Sequence, residues 1–322
     1  MRALVVTNMY PSQAAPQRGV FVRDQVEALR RLGHDVDVHT LGAGGRRLAA
    51  GIAPLRRRLA SASYDVVHAH YGLSGWVAWL AGARPLAVTF HGTDVRHRVV
   101  GPMSRRLVGQ VALAAAVSET LFAPSHGRPG LPRAANTAVL PCGVDLSRFG
   151  RRDRSEARRR LGLEADGRYL LFPADPARER KRHDRAATVA AAADATLLTG
   201  GAIDPAAMSA HINAASAVLV PSDHEGFGLA ALEALACDVA VLATPTGVAP
   251  AALAGIEGCL VAPFDHAAWT DHATRLLDAD DPRIAGAARA EDYSADRMAE
   301  QVAAAWSELA RTSGRGARRT PH

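Results

Sequence analysis

A chain of 322 residues, 48% hydrophobic and 22% charged, is longer than one hydrophobic core usually organises, which favours two globular domains and excludes wholesale disorder. No run approaches the roughly 18 apolar residues that a membrane span needs, and Met1 to Asn8 turns polar too soon for a secretory signal, so a cytoplasmic protein is expected. The formal charge of +6 divides unevenly, with 18 Arg against 8 acids in residues 1–150 and 20 basic residues against 24 acids in residues 151–322.

A first half at +10 and a second at −4 is compatible with contact to an anionic membrane surface or a polyanionic acceptor, and arginine-heavy codon usage alone would also produce it. No helix-turn-helix, zinc-finger or aromatic-plus-basic RNA signature accompanies the charge, so nucleic acid is not an expected partner. Cys142, Cys237 and Cys259 show neither C-x-x-C nor metal-ligand spacing, which argues against a disulfide framework or a zinc site.

In chain order, Ala3 to Thr7 reads as a buried strand running into a loop through Tyr10-Pro11, and Val22, Val26 and Leu29 follow at helical spacing up to a capping Gly33. Val36 to His39, Tyr64 to His70 and Leu86 to Phe90 read as further strands with helix-compatible segments between several of them, the pattern of a doubly wound parallel sheet. The arginine-rich stretch Arg151 to Arg160 separates this unit from the next, so the boundary is expected near residue 150. Beyond it, Tyr169 to Phe172, Ala195 to Leu198, Ala217 to Val220 and Val239 to Ala243 repeat the alternation, with a helix from Gly228 to Ala236. A last helix, Ala295 to Leu309, carries Met298, Val302, Trp306 and Leu309 on one face and can pack on either domain. Residues 311–322 are basic and apolar-poor and are expected to be disordered.

Absences narrow the chemistry. There is no G-x-G-x-x-G, no P-loop and no G-x-S-x-G elbow, so nicotinamide-dehydrogenase, P-loop ATPase and serine-hydrolase readings fall. His68 and His70 share one strand face without an obvious third ligand and read as structural. The strongest local signal is Glu225-Gly226-Phe227-Gly228-Leu229-Ala230-Ala231-Leu232-Glu233. If Phe227 to Leu229 open a helix, their N–H groups face an anion, most naturally a phosphate. Eight helical residues rise about 12 Å, so Glu225 and Glu233 can take hydroxyl groups on either side of a pyrophosphate.

This E-x(7)-E motif with its Gly-Phe-Gly-Leu resembles the donor site of family 4 retaining glycosyltransferases of the GT-B fold, and the likeness extends along nearly the whole chain. Tyr10-Pro11 with Arg18-Gly19-Val20-Phe21-Val22, Asp65 to His70, Thr89-Phe90-His91-Gly92-Thr93-Asp94, Ala116 to Glu119 and Leu140 to Asp145 resemble further signatures of that family in order. The opening is most similar to enzymes that build teichuronic-acid-like or extracellular polysaccharide. The resemblance implies an α/β chain of two facing Rossmann-like domains: an acceptor domain over 1–150 and a nucleotide-sugar donor domain over 151–310, with the 295–310 helix able to cross back.

It also implies roles. Lys181, the only lysine among the 38 basic residues, would bind phosphate with Arg178 or Arg180. Glu225 would hold donor-sugar hydroxyls and Glu233 the ribose diol, while Gly226, Phe227, Gly228 and Leu229 would bring backbone to the donor. Gly19 would let its loop approach the diphosphate, His91 would bond the transferred sugar, and Ser118 would cap a helix. The implied reaction moves a hexosyl group from a nucleotide-diphosphate sugar to a hydroxyl acceptor, a lipid-linked one among the candidates, in cell-envelope or extracellular polysaccharide or glycolipid synthesis. It would proceed by front-face displacement with no metal or other cofactor.

Three departures from the family pattern bear on activity. Ala174-Asp175 stands where Gly-Arg is frequent, Arg182 where a glycine follows the lysine, and Ala251 in a segment where an acid is common. The competing reading is therefore a catalytically impaired relative that binds a nucleotide sugar or a partner in a regulatory role.

Overall fold

The computed structural model describes residues 1–42, 44–125 and 127–317, the side chains of 45 and 313–317 aside. The chain forms two compact units, one of Met1–Gly143 together with the helix that begins at Ala295, the other of Val144–Ser294.

The first unit is built on six parallel strands, β1 (Arg2–Thr7), β2 (Asp35–Thr40), β3 (Val66–His70), β4 (Leu86–Phe90), β5 (Leu113–Ala116) and β6 (Thr137–Val139), in the order β2-β1-β3-β4-β5-β6. β3 and β4 are buried at every residue, as expected of parallel strands covered by helices on both faces. The helix Val20–Arg31 turns its Val22, Val26 and Leu29 into the core, and Gly33, at φ 84°, ends it in the left-handed conformation that a β-carbon disfavours. The last helix runs Ala295–Ala317. Its Met298, Val302, Trp306 and Leu309 are buried in the same cluster as Ala3, Val5, Val26 and Leu29.

The second unit carries β7 (Tyr169–Phe172), β8 (Thr196–Thr199), β9 (Ala217–Val220), β10 (Ala240–Ala243) and β11 (Leu260–Val261), again all parallel, in the order β11-β10-β9-β7-β8. Successive strands therefore add first on one side of β7 and then on the other. The reversal leaves a crevice beyond the carboxyl ends of β7 and β9, where sheets of this kind take ligands.

Two features differ from expectation. The division falls after Gly143 rather than at 150, because Val144 donates to the Tyr293 carbonyl at 2.8 Å and Arg152 N–H donates to Asn213 Oδ1 at 2.8 Å. The arginine-rich stretch is no linker: Arg154–Leu161 is a helix capped by Asp153, and Arg158 reaches the Ala214 carbonyl at 3.1 Å. At the other end, the last helix runs on to Ala317, and 318–322 lie outside the described residues.

Candidate functional site

Two loops converge beyond β7 and β9. The loop after β7 contains a short 3-10 turn, Glu179–Lys181, and the loop after β9 leads to the helix Leu229–Ala236. They are tied by the Asp223 N–H, which donates to the Arg180 carbonyl at 3.0 Å, and by the Asp223 carboxylate, which meets Arg182 at 3.1 Å and Arg185 at 3.0 Å. These ties bring the two residues singled out from sequence into direct contact. Lys181 Nζ donates to Glu225 Oε1 at 2.6 Å and Oε2 at 2.7 Å, and Ser222 Oγ donates to Oε1 at 2.6 Å.

The pair is largely withdrawn from water, with side-chain exposures of 19% for Lys181 and 8% for Glu225. An ammonium has three N–H groups and a carboxylate about four acceptor positions. Two N–H bonds to Glu225 leave one for an anion, and one position on Oε2 is left for a hydroxyl. The arrangement is thus a preformed cation–anion couple with one hydrogen-bonding site of each kind unspent.

The loop after β10 holds Glu225 from behind. Val248 N–H donates to the Phe227 carbonyl at 2.6 Å, and Thr244 Oγ1 donates to the Ser222 carbonyl at 2.5 Å. Gly247 sits at φ 59°, and a β-carbon there would stand 2.8 Å from that of Glu225 and collide with the Phe227 carbonyl. Only glycine fits.

The helix begins one residue later than expected, at Leu229. Gly228 is its left-handed cap at φ 96°, and Phe227 is buried just ahead of it. Ala231 N–H donates to the Gly228 carbonyl at 3.2 Å, so the N–H groups left open at the start of the helix are those of Gly228, Leu229 and Ala230. Gly226 lies in the same turn and Glu233 is half-buried within the helix. Glu225 precedes the helix, so it and Glu233 do not stand on one helical ladder.

Arg178 and Arg180 are exposed on the turn that ends in Lys181. Arg182 takes φ 57°, the left-handed region glycine favours, and pairs with Asp184 at 2.7 Å and Asp223 at 3.1 Å. Asp175 Oδ1 accepts from Ala177 N–H at 2.9 Å and shapes the same loop, and Ala251 lies exposed in a short helix, Ala249–Ala252.

The first unit holds its own cluster, also at the carboxyl ends of its strands. His91 follows β4, half-buried, with its ring against Phe21 at 4.8 Å and Tyr71 at 4.7 Å. Its Nε2 bonds His70 Nδ1 at 3.0 Å. His70 Nε2 is buried without a partner. A proton there would be an orphaned buried N–H, which is rarer and costlier than an unmet lone pair. The proton accordingly belongs on His70 Nδ1, making His91 Nε2 the acceptor and His91 Nδ1–H a donor.

A second bond settles His68. Trp306 Nε1, which can only donate, reaches His68 Nδ1 at 3.1 Å, so His68 Nε2–H donates to Thr89 Oγ1 at 2.7 Å. Beneath His91, the Asp94 carboxylate accepts from the N–H groups of Gly72 at 2.9 Å and of His91 and Gly92 at 3.0 Å. One side chain thus anchors both the His91 loop and the start of the helix Gly72–Leu80. Gly19 caps the helix Val20–Arg31 at φ 71°, and a β-carbon there would strike the Met9 carbonyl. Its own loop requires the glycine. Ser118 caps as expected, though of a 3-10 turn, Glu119–Leu121.

Burial gives this cluster an acid sensitivity. It lowers the His68 imidazole to about 4 and pushes His70 well below its ordinary value, while it raises Asp94 to about 6 against its three N–H bonds. The two kinds of group act oppositely. A histidine lowered on folding is neutral in both states above pH 6.5, and its stability is lost as pH falls from 6.5 towards 4; for His68 the loss is about 3 kcal/mol. Asp94, raised on folding, regains a comparable amount over about pH 6 to 4. With His70 and His91 adding to His68, the first unit is expected to lose stability between pH 6.5 and 4. Hydrogen exchange of β3 amides across that range reads it, and a His68→Gln variant should show a shallower slope. A flat wild-type profile would refute the assignment.

Glu225, Lys181 and His91 were singled out from the sequence. Ser222, Thr244, Gly247, His70, Asp94 and Trp306 were not assigned site roles from it. Asp94 and His70 lay inside recognised motifs; the others are joined by tertiary contact alone.

Residues 19–148 match the family described as Glycosyltransferase Family 4, and residues 167–279 match Glycosyl transferases group 1. A D-inositol 3-phosphate glycosyltransferase of Actinosynnema mirum is 32% identical, over 80% of this chain and 76% of that protein. A protein of Bacillus subtilis strain 168 named as a teichuronic acid biosynthesis glycosyltransferase, TuaC, is 27% identical over 85% of this chain and 89% of its own length. Among solved structures, sucrose-phosphate synthase of Thermosynechococcus elongatus superposes with a TM-score of 0.72 at 20% identity, covering 96% of this chain and 99% of its own. Anabaena Alr3699/HepE in complex with UDP and glucose gives 0.71 at 16% identity, covering 95% and 99%.

Proposed function

We propose, from the premise that the chain belongs to glycosyltransferase family 4 and is a glycosyltransferase of the GT-B fold, that its donor is a nucleotide-diphosphate sugar held in the second unit around Lys181 and Glu225. The observation that carries the reading is the buried couple itself. It offers one N–H to a phosphate and one carboxylate position to a sugar hydroxyl, beside the open N–H groups of Gly228, Leu229 and Ala230.

In the reaction proposed, the bond from the anomeric carbon to the diphosphate oxygen breaks while the acceptor oxygen bonds that carbon on the same face, retaining configuration. The acceptor's proton passes to the departing phosphate. Negative charge grows on the phosphate in the transition state, where Lys181, with Arg178 and Arg180 on the same turn, is the stabilising cation. Transfer of this kind calls for no metal. Glu225 and Glu233 take sugar and ribose hydroxyls, and the His91 Nδ1–H is a donor of the right chemistry for a further sugar oxygen.

The relatives' names, inositol phosphate and teichuronic acid glycosyltransferases, support a hexosyl transfer to a hydroxyl acceptor in cell-envelope polysaccharide or glycolipid synthesis. Among the described residues no helix is long and apolar enough to cross a membrane, and the basic first half is suited to peripheral contact with a lipid-linked acceptor. Arg182, at φ 57°, lies in the left-handed region that glycine favours, which supports the active reading over the impaired-relative alternative.

The test is thermal unfolding against nucleoside diphosphates and their sugars. One nucleoside series should stabilise the protein, by about 2.7 kcal/mol at 100 times its dissociation constant, and Lys181→Ala should abolish the effect. No stabilisation by any series would overturn the donor assignment and favour the regulatory alternative. A glycosylated carboxylate trapped during turnover would overturn the front-face step.

A further inference from the structure

The second unit has a polar cavity of about 750 Å3 whose lining includes Arg151, Arg152, Arg154, Arg158, Arg168 and Arg283. It lies at the opposite end of the sheet from Lys181 and Glu225. Arg168 and Ser216, both in its wall, immediately precede β7 and β9, whereas Lys181 and Glu225 follow those same strands. Four-residue strands at about 3.3 Å per residue put more than 10 Å of sheet between the two places. A diphosphate bound at Lys181 does not reach the cavity.

The charge there is unbalanced in a half of the chain that is otherwise acidic. Six guanidinium groups face four carboxylates, Asp153, Asp166, Asp280 and Asp281. One of these is already spent, since Asp153 Oδ1 caps the helix Arg154–Leu161 through Glu156 N–H at 2.7 Å. Another is shared three ways: Asp281 meets Arg151 at 3.5 Å and both Arg154 and Arg283 at 3.3 Å.

Arg283 and Arg168 satisfy their remaining N–H groups on backbone and neighbouring side chains. Arg154 does not. Its Nε and one terminal nitrogen are buried without an acceptor, although its side chain is only 12% exposed. Burial and the nearby Arg283 lower its guanidinium to about 10. A buried guanidinium with unmet donors beside two further cations is a strong attractor for an oxyanion, whose several acceptor atoms match the planar fork of arginine.

We propose that this cavity is a second anion site, which takes a phosphate group through Arg154 and Arg151 with Arg152 at its mouth. Arg151 and Arg152 are exposed and able to close on a ligand. The volume exceeds that of a bare phosphate, so the group belongs either to a soluble phosphorylated molecule or to a phospholipid headgroup.

The experiment uses the full chain, with inorganic phosphate titrated calorimetrically at constant ionic strength and sedimentation on vesicles of phosphatidylglycerol compared with phosphatidylcholine. In the Lys181→Ala background, which removes the phosphate contact of the donor site, Arg151→Ser and Arg154→Leu should each weaken the phosphate binding that persists at least tenfold. If Arg154→Leu does not fold, Arg151→Ser, at a side chain 57% exposed, carries the comparison alone. Arginine-dependent binding of free phosphate supports the site with a soluble ligand. Arginine-dependent sedimentation on phosphatidylglycerol without phosphate binding supports it with a lipid one. Binding of neither probe, binding unchanged in the arginine variants, or loss with Lys181→Ala would overturn it.

Discussion

Replacing Lys181 by Ala is expected to lower kcat/KM by about 100- to 1,000-fold, the effect of removing one donor that meets charge developing in a transition state. The same change should cost stability, because it leaves the Glu225 carboxylate, 7% exposed, with Ser222 as its remaining side-chain donor. Breaking a buried ion pair from one side costs about 3–5 kcal/mol. A double variant separates the two effects. Lys181→Met with Glu225→Leu removes both charges and fills the space with apolar groups, an exchange that is often neutral or stabilising. It should refold to near wild-type stability in chemical denaturation and stay inactive. Activity surviving in the double variant would show that the couple is merely structural.

The second large effect is expected at Trp306. The indole is fully buried and bonds His68. Trp306→Ala should lower the stability of the first unit by about 3–5 kcal/mol through the cavity it opens. Trp306→Phe keeps most of the apolar area but leaves His68 Nδ1 without its donor, which should cost about 1–3 kcal/mol. Denaturant midpoints with unchanged slopes would read both. Equal losses for the two variants would mean that the hydrogen bond, not the packing, dominates.

How much was legible follows from the range of the interactions. The strands were legible because parallel strands under helices are short apolar runs bounded by turn residues; Leu86–Phe90, Tyr169–Phe172 and Ala217–Val220 form as expected. Lys181 stood out by being alone of its kind, and Glu225 by its motif. The start of the helix at Leu229 was misplaced because Gly228, with no β-carbon, adopts a left-handed cap that the apolar pattern does not record. The division after Gly143 was missed because a run of arginines reads as a solvated linker, yet its aliphatic stems and guanidinium groups also cover backbone carbonyls, as Arg158 does. His70 and Trp306 owe their roles to partners far away in sequence, and no local spacing encodes such a pairing.

The return of the last helix to the first unit sets an order of assembly during synthesis. Trp306 emerges from the ribosome 238 residues after the histidine it covers, a delay of roughly 10–50 s at 5–20 residues per second. Through that interval the sheet of the first unit is translated but incomplete, its apolar surface awaiting a cover. The second unit, continuous from Val144 to Ser294, is translated in full before Trp306 emerges. The part of the chain made first is therefore the last to be finished, and it is the part a chaperone would have to shield.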